Sequence, residues 1–185
     1  MNRRSYPFSI IIKGWRVQIL RRPFHLLPLH GVGAEVGVDR GKNAAAMLKR
    51  HPEITRLHLI DPYMEYEDNG HIESRAGRAK AEREAACRLS RFSDKLIWHK
   101  CILKQCLLPP LDFAYIDGDH SYGAVKEDIA EVWKVLKPGG IMGGHDFIHT
   151  SPGGLTVAVE EFAARYGLHL FIETPDWWVV RGVAQ

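Results

Sequence analysis

Three side chains able to take a proton or hold a metal ion stand where two apolar runs end. Asp117 follows Phe113–Ile116, and His145 with Asp146 follows Ile141–Gly144. Between them, Tyr122 to Leu136 carries Val125, Ile129, Val132, Val135 and Leu136 at helical spacing, and Lys137-Pro138-Gly139-Gly140 is a stop signal. The stretch therefore reads as strand, loop, helix, turn, strand. In a parallel α/β sheet, ligands bind beyond the carboxyl ends of the strands. Asp117, His145 and Asp146 are thus expected on one rim, where carboxylates and an imidazole can act as bases or as ligands to a divalent ion.

A second cluster lies upstream. Ala34 to Gly41 reads as a strand that begins after Gly33 and breaks into a glycine turn, with Glu35, Gly37 and Gly41 spaced E-x-G-x-x-x-G around Val38. Gly37 and Gly41 would let a ligand approach the backbone. A branched residue at Gly37 is expected to block that approach with the fold largely retained. Asn43 is the expected N-cap of a helix ending at Arg50. The next strand, Leu57–Ile60, ends in Asp61, an acid in the position that commonly receives ribose hydroxyls.

These segments, in this order, resemble the class I S-adenosylmethionine-dependent methyltransferases. The likeness runs from about Gly33 to Gly182, through AEVGVDRG, LHLIDPY, and AYIDGDHSY followed by LKPGGIMGGHDF. The last pair is similar to the small bacterial branch with macrocin-type O-methyltransferases and cephalosporin-hydroxylase-like proteins. The resemblance implies an α/β, Rossmann-like three-layer sandwich: a seven-stranded, mostly parallel sheet with an antiparallel last strand. Leu168–Glu173 and Trp177–Arg181 fit its final strands. It implies S-adenosylmethionine as cofactor, held by Glu35, Gly37, Val38, Gly41, Asp61 and Asp117. It implies catalysis by Asp117 and His145, and one divalent metal (Mg, Mn, Fe or Zn) on Asp117, His145 and Asp146. The family ligand at position 145 is often an acid; a histidine there favours Mn, Fe or Zn over Mg. Asp119 and His120 are alternates, Asp119 also as a helix cap. Trp98 to Ile102 departs from the family pattern, so adenine contacts are not carried over. The implied reaction is methyl transfer to a hydroxyl of a sugar or aromatic metabolite. A non-haem-iron hydroxylase-like protein on the same scaffold and a non-catalytic cofactor-binding protein are the alternatives. A dinucleotide fingerprint at Gly31–Gly37 fails, because Pro23 and Pro28 interrupt the strand that must precede it.

With 185 residues, 45% hydrophobic and 25% charged, one globular domain is expected over 31–185, preceded by a basic segment over 1–30. The net charge of +3 comes with no basic stripe, which sets nucleic acid aside in favour of a small-molecule partner. Phe8, Ile11, Ile12, Trp15 and Ile19 fit one helical face, so an N-terminal helix is expected, packed on the domain or over the cofactor. A homodimer contact is the next reading of that helix, and an anionic membrane surface the last. Cys87, Cys101 and Cys106 show no pairing pattern and read as small buried hydrophobes in a reducing cytoplasm. No apolar run is long enough to cross a bilayer. A long helix over Glu73–Phe92, a strand over Leu96–His99 and a polar loop over 62–70 complete the outline. Thr150–Leu155 is a candidate lid, and Tyr63, Tyr66, Trp98, Trp177 and Trp178 are candidate pocket aromatics.

Overall fold

The computed structural model describes residues 8–12, 15–19, 27–68, 71–147 and 153–182. Its main sheet is ordered β1-β2-β10-β11-β9-β8-β3-β4-β7. The strands are β1 (Phe8–Ile12), β2 (Trp15–Ile19), β3 (Gly31–Val36), β4 (Ile54–Ile60), β7 (Leu96–His99), β8 (Leu111–Ile116), β9 (Leu136–Gly144), β10 (Leu170–Glu173) and β11 (Asp176–Val180). β5 (Tyr66–Asp68) and β6 (His71–Glu73) form a separate small hairpin inside the expected polar loop. Strands β7, β4, β3, β8 and β9 run parallel, and β11 is antiparallel to both β9 and β10. This is the expected seven-stranded sheet, lengthened at the β10 edge by β2 and β1. β3 begins at Gly31, two residues before Gly33.

The central strands are apolar on both faces because both faces are covered. Helices α1 (Lys42–Arg50) and α2 (Arg75–Leu89) cover one face, where Met47, Leu48, Ala85 and Leu89 meet Leu57, Leu59 and Phe113. Helices α3 (Tyr122–Val135) and α4 (Gly154–Tyr166) cover the other, where Val125, Ile129, Val132 and Val159 meet Ala114, Ile116 and Met142. Trp177 and Trp178 are neighbours on β11, so they point to opposite faces. One enters each core, and they are 0% and 2% exposed. They are core rather than pocket aromatics, and truncating either to alanine would cost about 3–5 kcal/mol.

The N-terminal helix expectation is corrected. Residues 8–12 and 15–19 are antiparallel strands, in register from Phe8↔Ile19 to Ile12↔Trp15. WRVQI alternates apolar and polar and carries Val and Ile, and β-branched Ile dominates FSIII, which favours strand over helix. β10 offers an open edge, and β2 pairs with it in parallel. The cap expectation is corrected too. Gly41, at φ 69°, is the N-cap of α1, and Asn43 lies inside the helix with its side chain turned back to β3. The long helix breaks after Leu89 into a 3₁₀ turn, Ser90–Lys95. Half of the candidate lid, 150–152, lies outside the described residues, as do the side chain of Tyr66 and residue 14.

Candidate active site

A cleft of about 310 Å³ opens at the carboxyl ends of β3, β4 and β8, with Cys101–Leu103 and Asp128 of α3 on its far wall. That volume is at the lower end of the range for small-molecule sites. Seven carboxylate side chains line it against one cation, Arg78, so its chemistry favours a positively charged ligand. Asp128 is pushed up to about 7, chiefly by burial and then by Glu127, Asp119 and Glu131. A cationic guest would be matched by keeping that group ionised.

The floor of the cleft is the turn after β3. Gly37 has φ 82°, and a Cβ on it would lie 2.0 Å from the Asp117 carbonyl oxygen. Its lack of a side chain is what lets the β3 and β8 loops touch. Gly37→Val would therefore disturb the backbone of both loops, which runs against the expectation of a largely retained fold. Gly41, also left-handed, would meet Leu89 Cδ1 at 2.9 Å, so it seats α1 on α2. Val38 is 3% exposed and belongs to the α1–α2 core. Glu35 is 1% exposed, beneath the turn and off the cleft wall. Asn43 Nδ2 donates to its Oε1 at 3.0 Å, and its Oε2 accepts no hydrogen bond. Burial, far more than the nearby Asp117 and Asp61, pushes the Glu35 carboxyl up to about 8.

Asp61 does stand at the cleft, at 3% exposure, but its acceptor positions are taken. Arg78 Nη2 donates to both carboxylate oxygens at 2.9 Å. The backbone N–H groups of Asp39 and Tyr63 donate at 2.9 and 2.8 Å. Those four contacts match what an ionised carboxylate can accept. The Arg78 guanidinium also bonds Asp39 Oδ1 at 3.0 Å and lies 5.4 Å from the centre of the Tyr63 ring, whose hydroxyl donates to the Asp39 carbonyl at 2.9 Å. Arg78 lies among the interspersed acids and bases of α2, a pattern that reads as a solvated helix face. Its 6% exposure, from a helix of otherwise alternating charge, was not visible in that pattern.

The rim assembles as expected. Ligand atoms of Asp117, His145 and Asp146 lie within 4.8 Å of one another. His145 Nδ1 is 3.2 Å from Asp146 Oδ1 and 4.0 Å from Asp117 Oδ1. The hydrogen bond to Asp146, followed by the Asp117 charge, raises His145 above its ordinary value, while Asp146 is held down by the same bond. His120 joins them, with Nε2 3.3 Å from Asp146 Oδ2 and 3.6 Å from Asp117 Oδ1. Asp119 instead accepts from Ser121 N at 2.8 Å, and Ser121 caps α3. Asp117 belongs to both places: it lines the cleft and completes the rim. Asp146 takes φ 58°, and Asp39 and Tyr63 also have left-handed backbones, at φ 45° and 49°.

A group that sequence reading passed over sits at the end of edge strand β7. His99, Cys101 and Cys106 bring donor atoms within 4.8 Å of one another. His99 Nε2 is 2.9 Å from Nδ1 of His58 on β4. Burial lowers both rings below the ordinary imidazole range, which keeps them neutral. The signal was the spacing H-x-C-x₄-C, which matches none of the familiar paired-cysteine patterns.

A family model described as a methyltransferase domain matches residues 34–147, most of the chain, and the chain belongs to that family. No curated protein matches it. Solved structures agree on the fold. A precorrin-6y C5,15-methyltransferase from Geobacter metallireducens is 16% identical with TM-score 0.58, covering 83% of this chain and 81% of that one. The O-methyltransferase TomG from Streptomyces achromogenes, solved with S-adenosylmethionine, is 14% identical with TM-score 0.57, covering 86% and 76%. An O-methyltransferase family protein from Burkholderia thailandensis is 12% identical with TM-score 0.59, and this chain spans about half of it, 84% against 52%. The chain thus carries a methyltransferase domain on the fold with which TomG holds S-adenosylmethionine. The acidic cleft suits that cofactor's sulfonium and ammonium charges.

Proposed function

We propose that the protein transfers a methyl group to a hydroxyl of a small molecule, a sugar or aromatic metabolite, in the cytoplasm. The observation that carries this reading is Asp117, which is shared between the cofactor cleft and the His145–Asp146 rim. An acceptor seated on the rim would lie next to the cofactor. S-adenosylmethionine supplies an electrophilic methyl on sulfur. The protein must then orient the acceptor oxygen and remove its proton. With Nδ1 of His145 directed at Asp146, the neutral ring carries its lone pair on Nε2. His145 would take the acceptor proton there, while Asp146 stabilises the resulting imidazolium. Asp117 would orient the acceptor hydroxyl by accepting its hydrogen bond.

The convergence of Asp117, His145 and Asp146 also fits one divalent cation. Such an ion would act as a Lewis acid on the acceptor hydroxyl. An imidazole with two carboxylates suits Mn, Fe or Zn better than Mg. Ribose hydroxyls could be received at Asp61 only if Arg78 yields one of its two contacts. The Gly37 turn would hold the methionine end, with Glu35 buried beneath it and out of reach of the cleft.

The test is a methyl-transfer screen over glycosides, catechols and polyketides, with and without EDTA. Asp117→Asn is expected to lower turnover a hundredfold or more, about 3 kcal/mol, with cofactor affinity nearly kept. Full turnover after chelation would leave the His145–Asp146 pair as a metal-free base. Iron-dependent oxygen uptake without methyl transfer would favour the hydroxylase-like alternative.

A further inference from the structure

We propose that His99, Cys101 and Cys106 form a binding site for a thiophilic divalent cation of the zinc type, separate from the Asp117 rim. The three donor atoms lie within 4.8 Å of one another. They come from one short segment that the fold bends back on itself. β7 ends at His99, and the 3₁₀ turn Leu103–Gln105 then returns the chain, with Cys106 N donating to the Leu103 carbonyl at 2.9 Å. The turn brings Cys106 Sγ to 2.6 Å from Cys101 Sγ and 3.4 Å from the Ile102 carbonyl.

Two thiols and an imidazole are a soft donor set. Thiolate ligands select Zn, Cu(I) or iron–sulfur centres over Mg or Ca. Three protein donors leave a fourth tetrahedral position open to water or a small ligand. The imidazole is already supported from behind. His58 Nδ1 lies 2.9 Å from His99 Nε2, and the two rings stack at 5.1 Å. With His58 accepting the Nε2 proton, His99 keeps its lone pair on Nδ1 for a cation. A ligating histidine almost always has its other nitrogen held in this way. The cysteines would bind as thiolates and release their protons to solvent. Two sulfurs on one tetrahedral zinc stand about 3.8 Å apart, so the pair must open by about 1 Å. A disulfide would use the two sulfurs but give His99 and its His58 support no part. Cys101 and Leu103 also wall the cofactor cleft, so a bound cation would brace that wall from outside the catalytic rim.

The experiment uses the whole protein, reduced and stripped with a chelator, and titrates it with zinc chloride and then cobalt(II) chloride. One zinc per chain with micromolar or tighter affinity is expected, together with a sulfur-to-cobalt charge-transfer band. Cys101→Ser and Cys106→Ser should each weaken zinc binding at least tenfold and reduce the band, and His58→Ala should weaken it about tenfold. Asp117→Asn should leave the band unchanged. Wild-type protein gives a second measure: zinc should protect Cys101 and Cys106, but not exposed Cys87, from alkylation read by mass spectrometry. No cobalt–sulfur band with all three thiols reduced would overturn the proposal, as would equal alkylation with and without zinc. So would a Cys101–Cys106 disulfide that takes up no cation once reduced.

Discussion

At the scale of single residues, the site depends on groups whose charge is set by where they are buried. Glu35 is the clearest case. Its folded-state value of about 8 lies above the 4.5 of an ordinary glutamate. Between those values the native state holds a proton that the unfolded chain releases, so stability falls as pH rises from about 4.5 to about 8. Glu35→Gln removes that slope while keeping an acceptor for Asn43. The variant should gain stability over wild type at pH 8, by up to about 4 kcal/mol, and show little gain at pH 4.5. Urea unfolding at the two pH values measures it. His145 moves in the same direction for a different reason, its bond to Asp146. A raised value delays the neutral, basic form to higher pH. Asp146→Asn should let that form appear at lower pH, shifting the acid limb of kcat/KM downward while the maximum falls. An NMR titration of the His145 ring in the same variant should move with it. Asp117, His145 and Asp146 were legible in the sequence because strand ends announce themselves through apolar runs. Arg78 and the His58–His99 contact were not, since nothing local in a helix or an edge strand tells which polar residue meets another some twenty to forty positions away.

At the scale of elements, Arg78 fastens α2 to the end of β4. The pair it makes with Asp61 is nearly solvent-free on both sides, at 8% and 4% side-chain exposure. Removing one partner of such a pair leaves a buried charge without compensation. Arg78→Met should therefore cost about 3–5 kcal/mol in denaturant unfolding, somewhat less if the Asp39 and Tyr63 N–H groups hold the carboxylate. A loss below about 1 kcal/mol would mean that water reaches Asp61 and that the contact is superficial. Element types were well marked where patterns were long, as in α3. They were misread in the first twenty residues, where Phe8, Ile11, Ile12, Trp15 and Ile19 satisfy a helical stripe as well as two short strands. The deciding fact, an open β10 edge able to accept β2, lies about 150 residues downstream.

At the scale of the molecule, the N-terminal hairpin makes β1 rather than β10 the outer strand of the sheet. Deleting residues 1–26 should leave the methyltransferase sheet folded but uncover the hydrogen-bonding edge of β10. An uncovered edge is a template for pairing with another chain. The truncated protein is expected to self-associate in size-exclusion chromatography at concentrations where the full chain does not. An unchanged elution volume would show that the edge is protected by other means. Among the described residues no helix is long and apolar enough to cross a membrane.

Asp39, Tyr63 and Asp146 each hold a left-handed backbone, and all three stand around the cleft and rim. Such a conformation costs a non-glycine residue of order 1–3 kcal/mol. That cost makes these positions places where glycine relieves strain. A selection for heat resistance alone would be drawn to Asp146→Gly wherever the relaxed backbone outweighs the lost, half-exposed contacts with His145 and His120. The same change deletes the carboxylate that faces His145. Thermostability and turnover are thus set against each other at one codon. Evolved lineages of this protein that were never assayed for methylation would drift toward sturdier, silent enzymes.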